Sequence, residues 1–173
     1  MIPLIQVGDK VLFYADEFVC HCGKCRYSDP GLIPHIISQE LKEHLTEYRL
    51  AVNAPIIVTR GVSCIEHHKN IYKGIYGNLW EKYIAWDSAH VPDKEKKVHG
   101  GQCEIFYACD HVPKSDFLRA YALANRFRFN GIIWYQKRYV RDNNRLENSF
   151  IHVDDFPIRT TAYIPSIKIY NKF

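Results

Sequence analysis

The chain has 173 residues, of which 47% are hydrophobic and 24% are charged, and its formal net charge is +4. This length and balance predict one globular domain over residues 1–173 and exclude the disordered and collagen-like classes. The charge is small and no dense Lys/Arg stripe is present, so we expect no nucleic-acid partner. No apolar run reaches the roughly 18 residues of a membrane span, so we expect no membrane partner either.

The N-terminal segment does not resemble a signal peptide. Asp9 and Lys10 interrupt its middle, and no cleavage site of small residues follows. We therefore expect a protein that stays cytoplasmic until it is released. We also expect a monomer. We expect reduced thiols, because six cysteines in a chain of this size are too few for a disulfide scaffold.

The first half of the chain predicts one long helix and one buried strand. Over Leu32–Val52 the apolar residues recur with a helical period, and Asn53 follows as a stop signal. Ile56–Thr59 is a β-branched run typical of a buried strand. Residues 65–99 show no clear period and predict a long irregular region, with a helical turn around Leu79–Ala85.

The second half of the chain predicts several strands and one helix. Ser115 is a suitable N-cap for an amphipathic helix that continues to Phe127. The predicted strands are Cys103–Ala108, Ile132–Tyr135, Phe150–Asp154 and one or two within Thr161–Tyr170. Helices separated by hairpin-like strand pairs predict an α+β fold, in which helices flank a mainly antiparallel sheet.

The strand Phe150–Asp154 carries the first sign of chemistry. Because alternate residues of a strand share a face, His152 and Asp154 point to one side while the β-branched residues between them point to the core. An imidazole is the commonest metal ligand in proteins, and a nearby carboxylate can orient it or act as a base. On its own this strand is a weak signal, because a polar outer face explains it equally well.

Upstream residues complete a set of ligands. His90 and His99 each offer an imidazole, and Glu104 offers a carboxylate at the start of a predicted strand. Two histidines and one carboxylate leave zinc an open position for water, which is the arrangement that a hydrolytic metal site requires.

Four segments, in order along nearly the whole chain, resemble motifs of one peptidase family. Residues 17–25 (E-F-V-C-H-C-G-K-C) match E-F-x-C-x-C-G-x-C, and residues 55–64 (P-I-I-V-T-R-G-V-S-C) resemble P-I-x-V-T-S-G-Y-R-C. Residues 88–90 (S-A-H) with residues 100–105 resemble S-x-H-x-x-G-x-A-x-D-I, and residues 150–154 (F-I-H-V-D) resemble F-V-H-V-D. By these motifs the chain resembles the M15 family of zinc peptidases, which share a fold with D-Ala-D-Ala carboxypeptidases and the hedgehog signalling domain.

The resemblance implies a function and a set of ligands. It implies a Zn²⁺-dependent peptidase that cleaves peptidoglycan stem or cross-link peptides containing D-amino acids, such as a phage lysin or a phage-derived bacterial protein. It implies His90, Glu104 and His152 as zinc ligands. His99 remains the alternative first ligand, because it lies closer to the glycine of the motif but lacks the preceding serine.

Two departures from the family pattern bear on activity. Ser63 stands where the family has an arginine that resembles a clamp for substrate, and Arg60, three residues earlier, is the candidate replacement. Ser149 stands where many relatives have an acidic general base, which leaves Asp154 as the leading catalytic carboxylate and Glu147 as a second candidate. These changes also fit an alternative function, a catalytically impaired module that binds cell wall or a protein partner.

The cysteines near the N-terminus form a second candidate metal site. Cys20, Cys22 and Cys25 have a spacing that allows thiolates to converge on zinc, with Cys64 or His21 as a fourth ligand. Cysteines packed beneath the first helix explain the same pattern equally well. The Cys-x-x-Cys pair does not predict a thioredoxin-like redox protein, because no βαβ pattern surrounds it.

Overall fold

A computed structural model describes residues 1–92, 104–127, 129–137, 150–155 and 166–170. Within these residues the strands are β1 (Pro3–Val7), β2 (Lys10–Tyr14), β3 (Ile56–Arg60), β4 (Ala108–Pro113), β5 (Gly131–Lys137), β6 (Phe150–Asp154) and β7 (Ser166–Tyr170). The helices are α1 (Ile33–Ile36), α2 (Gln39–Val52), α3 (Ile65–Tyr76), α4 (Trp80–Tyr83) and α5 (Phe117–Ala124). Short 3₁₀ turns cover Ala15–Glu17, Arg26–Ser28 and Gly77–Leu79.

The strands form two sheets. β1 and β2 make an antiparallel hairpin, and the other described strands form a sheet in the order β3-β4-β6-β5-β7. The pairs β3–β4, β4–β6 and β5–β6 are antiparallel, whereas β7 runs parallel to β5. The predicted α+β fold, with helices flanking a mainly antiparallel sheet, is therefore confirmed.

The core lies between the sheet and α2. The buried side chains of α2 are Leu41, Leu45, Tyr48 and Val52, whose spacing places them on one face of the helix. Tyr48 meets the sheet side through edge-on ring contacts with His111 and Phe129. None of the described helices combines the length and apolarity that crossing a bilayer requires.

The predicted helix over Leu32–Val52 is wrong in one respect, because it is broken. α1 ends at Ile36, and Ser38 begins α2 as an N-cap whose hydroxyl accepts a hydrogen bond from the Leu41 amide at 3.1 Å. At the break, the Ser38 amide donates to the Phe106 carbonyl and the Phe106 amide donates to the Ile36 carbonyl. The apolar period continues through the break because the residues on both sides of it are buried, so the pattern hides the interruption.

The irregular region predicted for residues 65–99 is also wrong over its first part. Ile65–Tyr76 forms the helix α3, and only His68 of its residues is fully buried. The apolar residues of α3 are half-buried or exposed, and its N-cap is a cysteine, which is not a usual start signal for a helix. α4 agrees with the predicted helical turn, and residues 93–99 lie outside the described part of the chain.

The strand predicted over Cys103–Ala108 is displaced along the chain. The observed strand β4 begins at Ala108, where the predicted one ends, and Cys103 lies outside the described residues. Before β4, Phe106 makes only an isolated parallel bridge to Ile37. The helix after β4 takes Asp116 as its N-cap instead of Ser115. The predicted strands that became β3, β5 and β6 are confirmed, and β7 confirms one strand in the C-terminal region.

Candidate functional site

Two histidines and an aspartate converge in the described part of the chain. His90 Nε2 lies 3.0 Å from Asp110 Oδ1 and 3.2 Å from His152 Nδ1, and His152 Nδ1 lies 2.7 Å from Asp110 Oδ1. All three residues are buried, with exposed fractions of 2%, 7% and 8% for His90, Asp110 and His152. We call these residues the His–Asp–His group.

The sheet register brings two members of the group together. Asp110 in β4 lies directly opposite His152 in β6, and side chains of directly opposed residues share a sheet face. Their neighbours Ile151 and Val153 point to the other face and are fully buried in the core. The predicted alternation of side chains between the two faces of this strand is therefore confirmed. The face that carries His152 is also buried.

His90 comes from the loop that follows α4. The Ser63 amide donates a hydrogen bond to the His90 carbonyl at 2.9 Å, and His90 Nδ1 donates to the Gly61 carbonyl at 2.7 Å. The loop between β3 and α3 thus fixes both the backbone and the ring of His90. Because a carbonyl can only accept, Nδ1 carries a proton, and Nε2 is the ring nitrogen that faces Asp110 and His152.

His152 is oriented in the same way by Asp154. His152 Nε2 donates to Asp154 Oδ2 at 2.9 Å, so Nδ1 is the ring nitrogen that faces the group. Asp154 is fully buried and lies on the ring nitrogen that points away from the group. This contact gives Asp154 a role in orienting the His152 ring, and its role as a catalytic base stays a prediction.

The surroundings of the group favour positive charge. Burial raises the pKa of Asp110, but attraction to His90 and hydrogen bonds from His152 and His90 outweigh burial and hold the pKa well below its ordinary range. Burial lowers the pKa of His152, but hydrogen bonds with Asp110 and Asp154 raise it to about 9. Burial lowers the pKa of His90. One proton, or one cation in its place, is therefore favoured between these side chains.

Arg60 lies beside the group at the end of β3. Its Nε donates to Ser63 Oγ at 2.9 Å, and its Nη2 donates to His68 Nδ1 at 2.7 Å. His68 Nε2 in turn donates to the Ala85 carbonyl at 2.9 Å, and burial together with Arg60 lowers the pKa of His68 to about 4. The two residues predicted for substrate binding, Arg60 and Ser63, are therefore in direct contact.

Glu104 does not join the His–Asp–His group. Its carboxylate forms an ion pair with Arg26 at 2.8 Å, and Asp110 supplies the carboxylate beside the two histidines. The structure therefore does not bring Glu104, the predicted carboxylate ligand, to the two histidines. His99, Glu147 and Ser149 lie outside the described residues, so the structure compares none of them with His90 or Asp154.

Sequence reasoning missed Asp110, although a signal for it was present. Residues 108–110 read A-C-D and carry the A-x-D spacing of the motif S-x-H-x-x-G-x-A-x-D-I. Keeping the glycine of that motif at Gly100 placed the carboxylate six residues too early, at Glu104. A longer insertion after His90 would have aligned Asp110 with the motif.

The predicted cysteines also lie together. The Sγ atoms of Cys20, Cys22, Cys25 and Cys64 all lie within 4.8 Å of one another, and we call these residues the thiol cluster. Of the two predicted fourth ligands, the structure brings Cys64 into the cluster.

Comparisons with protein-family models, with curated proteins and with solved structures find no match for this chain.

Proposed function

We propose that this protein is a zinc-dependent peptidase that acts on peptidoglycan stem or cross-link peptides, with a fold like that of the hedgehog domain and the D-Ala-D-Ala peptidases. One observation carries the proposal. Each histidine of the His–Asp–His group gives one ring N–H to a fixed acceptor, the Gly61 carbonyl or Asp154, and turns its other nitrogen toward Asp110. Such outer-shell acceptors are the usual companions of metal-ligating histidines.

The donor set fits zinc. Ligand atoms about 2.0–2.1 Å from a tetrahedral zinc ion lie about 3.3 Å from one another. The three separations in the group are 2.7, 3.0 and 3.2 Å, so a small opening of the triangle is enough to accommodate the ion. When bound, zinc supplies an activated water and polarises a scissile carbonyl.

Arg60 supports a peptide substrate. Its guanidinium is held by Ser63 and His68, and its charge interacts with Asp110. The family motif has a serine at position 60 and an arginine at position 63, so this chain exchanges the two residue types and joins them by a hydrogen bond. Arg60 therefore provides the positive charge that binds a substrate carbonyl or carboxylate.

A second candidate function is a zinc-containing binding module without hydrolytic activity. The burial of the group favours it, because all three ligand residues are less than a tenth exposed. A structural zinc site is closed, whereas a catalytic one keeps a position open to water and substrate.

The carboxylates provide the sharpest test of the proposal. We expect Asp110→Asn to weaken zinc binding more than about 100-fold, the upper end of second-shell effects, because it removes a ligand charge. The matched change Glu104→Gln removes a half-exposed ion pair with Arg26 and should leave zinc binding nearly unchanged. Zinc affinity is measured by competition with a chromogenic chelator.

Activity is measured on purified peptidoglycan, by loss of turbidity and by mass spectrometry of released peptides. The expected result is cleavage by the wild-type chain and by Glu104→Gln, and none by Asp110→Asn or after chelation. Zinc binding without peptide release would reject the peptidase and favour the binding module. Loss of one zinc ion per chain by Glu104→Gln, together with the full wild-type zinc content in Asp110→Asn, would reject the ligand set.

A further inference from the structure

We propose that the thiol cluster is a second zinc site, of the closed structural type, formed by Cys20, Cys22, Cys25 and Cys64. It uses none of the residues of the His–Asp–His group, and the proposal does not depend on peptidase activity. From the sequence alone, these cysteines could form a metal site or could simply pack in the core, and only three of the possible ligands are close together in the sequence.

The spacing of the sulfur atoms is that of ligands. Cys64 Sγ lies 3.9 Å from both Cys20 Sγ and Cys22 Sγ. Sulfur atoms about 2.3 Å from a tetrahedral zinc ion lie about 3.8 Å apart. A disulfide requires about 2.05 Å, and all four cysteines are free.

Backbone amides point at three of the four sulfurs. The Cys64 amide donates to Cys20 Sγ at 3.4 Å, and the His67 amide donates to Cys64 Sγ at 3.4 Å. The Lys24 amide donates to Cys22 Sγ at 3.5 Å. N–H···S hydrogen bonds favour thiolates over neutral thiols, and thiolates are the form that binds zinc.

The local fold holds the first three cysteines in a closed loop. The Cys20 amide donates to the Tyr27 carbonyl and the Ser28 hydroxyl donates to the Cys20 carbonyl, both at 2.8 Å. Between Cys22 and Cys25 the chain turns at Gly23, whose φ of +66° is readily adopted by glycine.

Burial distinguishes the cluster from ordinary core packing. Cys20 and Cys64 are buried, with exposed fractions of 1% and 7%, whereas Cys22 and Cys25 are only half-buried. The cluster therefore extends from the core to the surface. A metal ion bound there would link the loop that carries Cys22 and Cys25 to the core.

The location of the cluster gives the metal a role. Cys64 is the N-cap of α3 and directly follows Ser63, while Gly61 receives the ring N–H of His90. The Val62 amide also donates to the Phe18 carbonyl at 2.9 Å, in the segment that leads to Cys20. Zinc at the thiol cluster therefore fixes the loop that positions His90.

Cobalt substitution of the whole chain tests the proposal without relying on a variant. After removal of zinc and addition of Co²⁺ under reducing conditions, we expect intense sulfur-to-cobalt charge-transfer absorption from a tetrathiolate site. X-ray absorption at the zinc edge should show sulfur neighbours at about 2.3 Å. Zinc analysis should give two ions per wild-type chain and one per chain of Asp110→Asn.

Two cysteine variants then locate the site. Cys25→Ser should abolish the charge-transfer band and lower the Tm by about 10 °C or more, because metal binding is linked to folding. Cys109→Ala removes a buried thiol outside the cluster and should retain the band.

Three results would overturn the proposal: a cobalt spectrum without sulfur charge transfer, zinc with only nitrogen and oxygen neighbours, or a native disulfide among the four cysteines. An intact band in a chain that cleaves no peptidoglycan would support the thiolate site and reject only the peptidase. Cleavage of peptidoglycan by a chain that lacks the band would support the peptidase and reject the thiolate site.

Discussion

At the scale of single residues, the His–Asp–His group depends on a glycine that carries no functional atom. Gly131 in β5 lies opposite Asp154 in β6, and a Cβ atom at position 131 would collide with the Asp154 carboxylate. That carboxylate accepts the Nε2 proton of His152. The missing side chain of Gly131 thus leaves space for the carboxylate that orients the His152 ring.

We therefore expect Gly131→Ala to displace the Asp154 carboxylate and to weaken zinc binding by about 10- to 100-fold, the usual effect of a lost second-shell partner. Gly74→Ala is the matched control, because a Cβ there meets no atom within 4 Å and the residue lies on the helix α3. The control should leave zinc affinity unchanged and add up to about 1 kcal/mol of stability. Equal zinc affinity in both variants would show that Asp154 does not orient the ligand.

At the scale of elements, the helices near the site begin with side-chain caps. Ser38, Cys64 and Asp116 each accept a hydrogen bond from a backbone amide in the first turn of the helix that follows. Ser38 is the most deeply placed, since it is 2% exposed and lies at the break between α1 and α2. A cap at this position sets where α2 begins and which of its faces meets the core.

Substitution of Ser38 by alanine should lower the free energy of unfolding by about 1 to 2 kcal/mol, because the Leu41 amide loses its acceptor in a buried position. Ser115→Ala is the control, since Ser115 is exposed and Asp116 caps α5 in its place. It should change stability by less than about 0.5 kcal/mol. Urea unfolding followed by circular dichroism measures the free energy of unfolding of both variants. A larger effect of Ser115→Ala would reverse this assignment of the caps.

The elements could be predicted where hydrophobic period and turn signals agreed. β3, β5 and β6 have β-branched cores next to glycine or asparagine, and they were recognised from sequence. α3 was not recognised, because its N-cap is a cysteine and its only fully buried side chain is the polar His68. The break at Ser38 was hidden because long-range hydrogen bonds to Phe106 stabilise it, and no local pattern records them.

At the scale of the whole molecule, the sheet assembles the site from distant segments. His152 and Asp110 are 42 residues apart, and His90 and Asp110 are 20 apart. The two histidines could be predicted from motifs, whereas the placement of Asp110 directly opposite His152 depends on the register of β4 against β6. Cys64 joins the thiol cluster for the same kind of reason, since it approaches Cys20 across 44 residues.

Burial of neutral histidines makes the whole fold sensitive to acid. Burial lowers the pKa of His111 to about 4, and His111 Nε2 lies 3.1 Å from the Tyr48 hydroxyl in the core. The unfolded chain, with an ordinary His pKa near 6.5, binds more protons between pH 6.5 and 4. The contribution of His111 is therefore complete above pH 6.5 and is lost as the pH falls toward 4.

We expect the wild-type chain to lose about 2 kcal/mol more stability than His111→Gln between pH 7 and pH 5. Glutamine does not titrate, and its amide can still pair with the Tyr48 hydroxyl. Both chains keep the His–Asp–His group and the thiol cluster unchanged, so any acid-induced change at these groups cancels in the difference. Urea unfolding at several pH values measures this difference in stability loss. Parallel curves of stability against pH for the two chains would contradict the assignment to His111.

The position of β6 late in the chain has a consequence for biosynthesis. A ribosome that adds about 5 to 20 residues per second needs roughly 2 to 8 seconds to pass from Asp110 to His152, and the strand that carries His152 inserts between β4 and β5. During that interval the nascent polypeptide has at most two of the three side chains that can hold a cation. A cation held by all three side chains can therefore bind only after β6 has paired with β4.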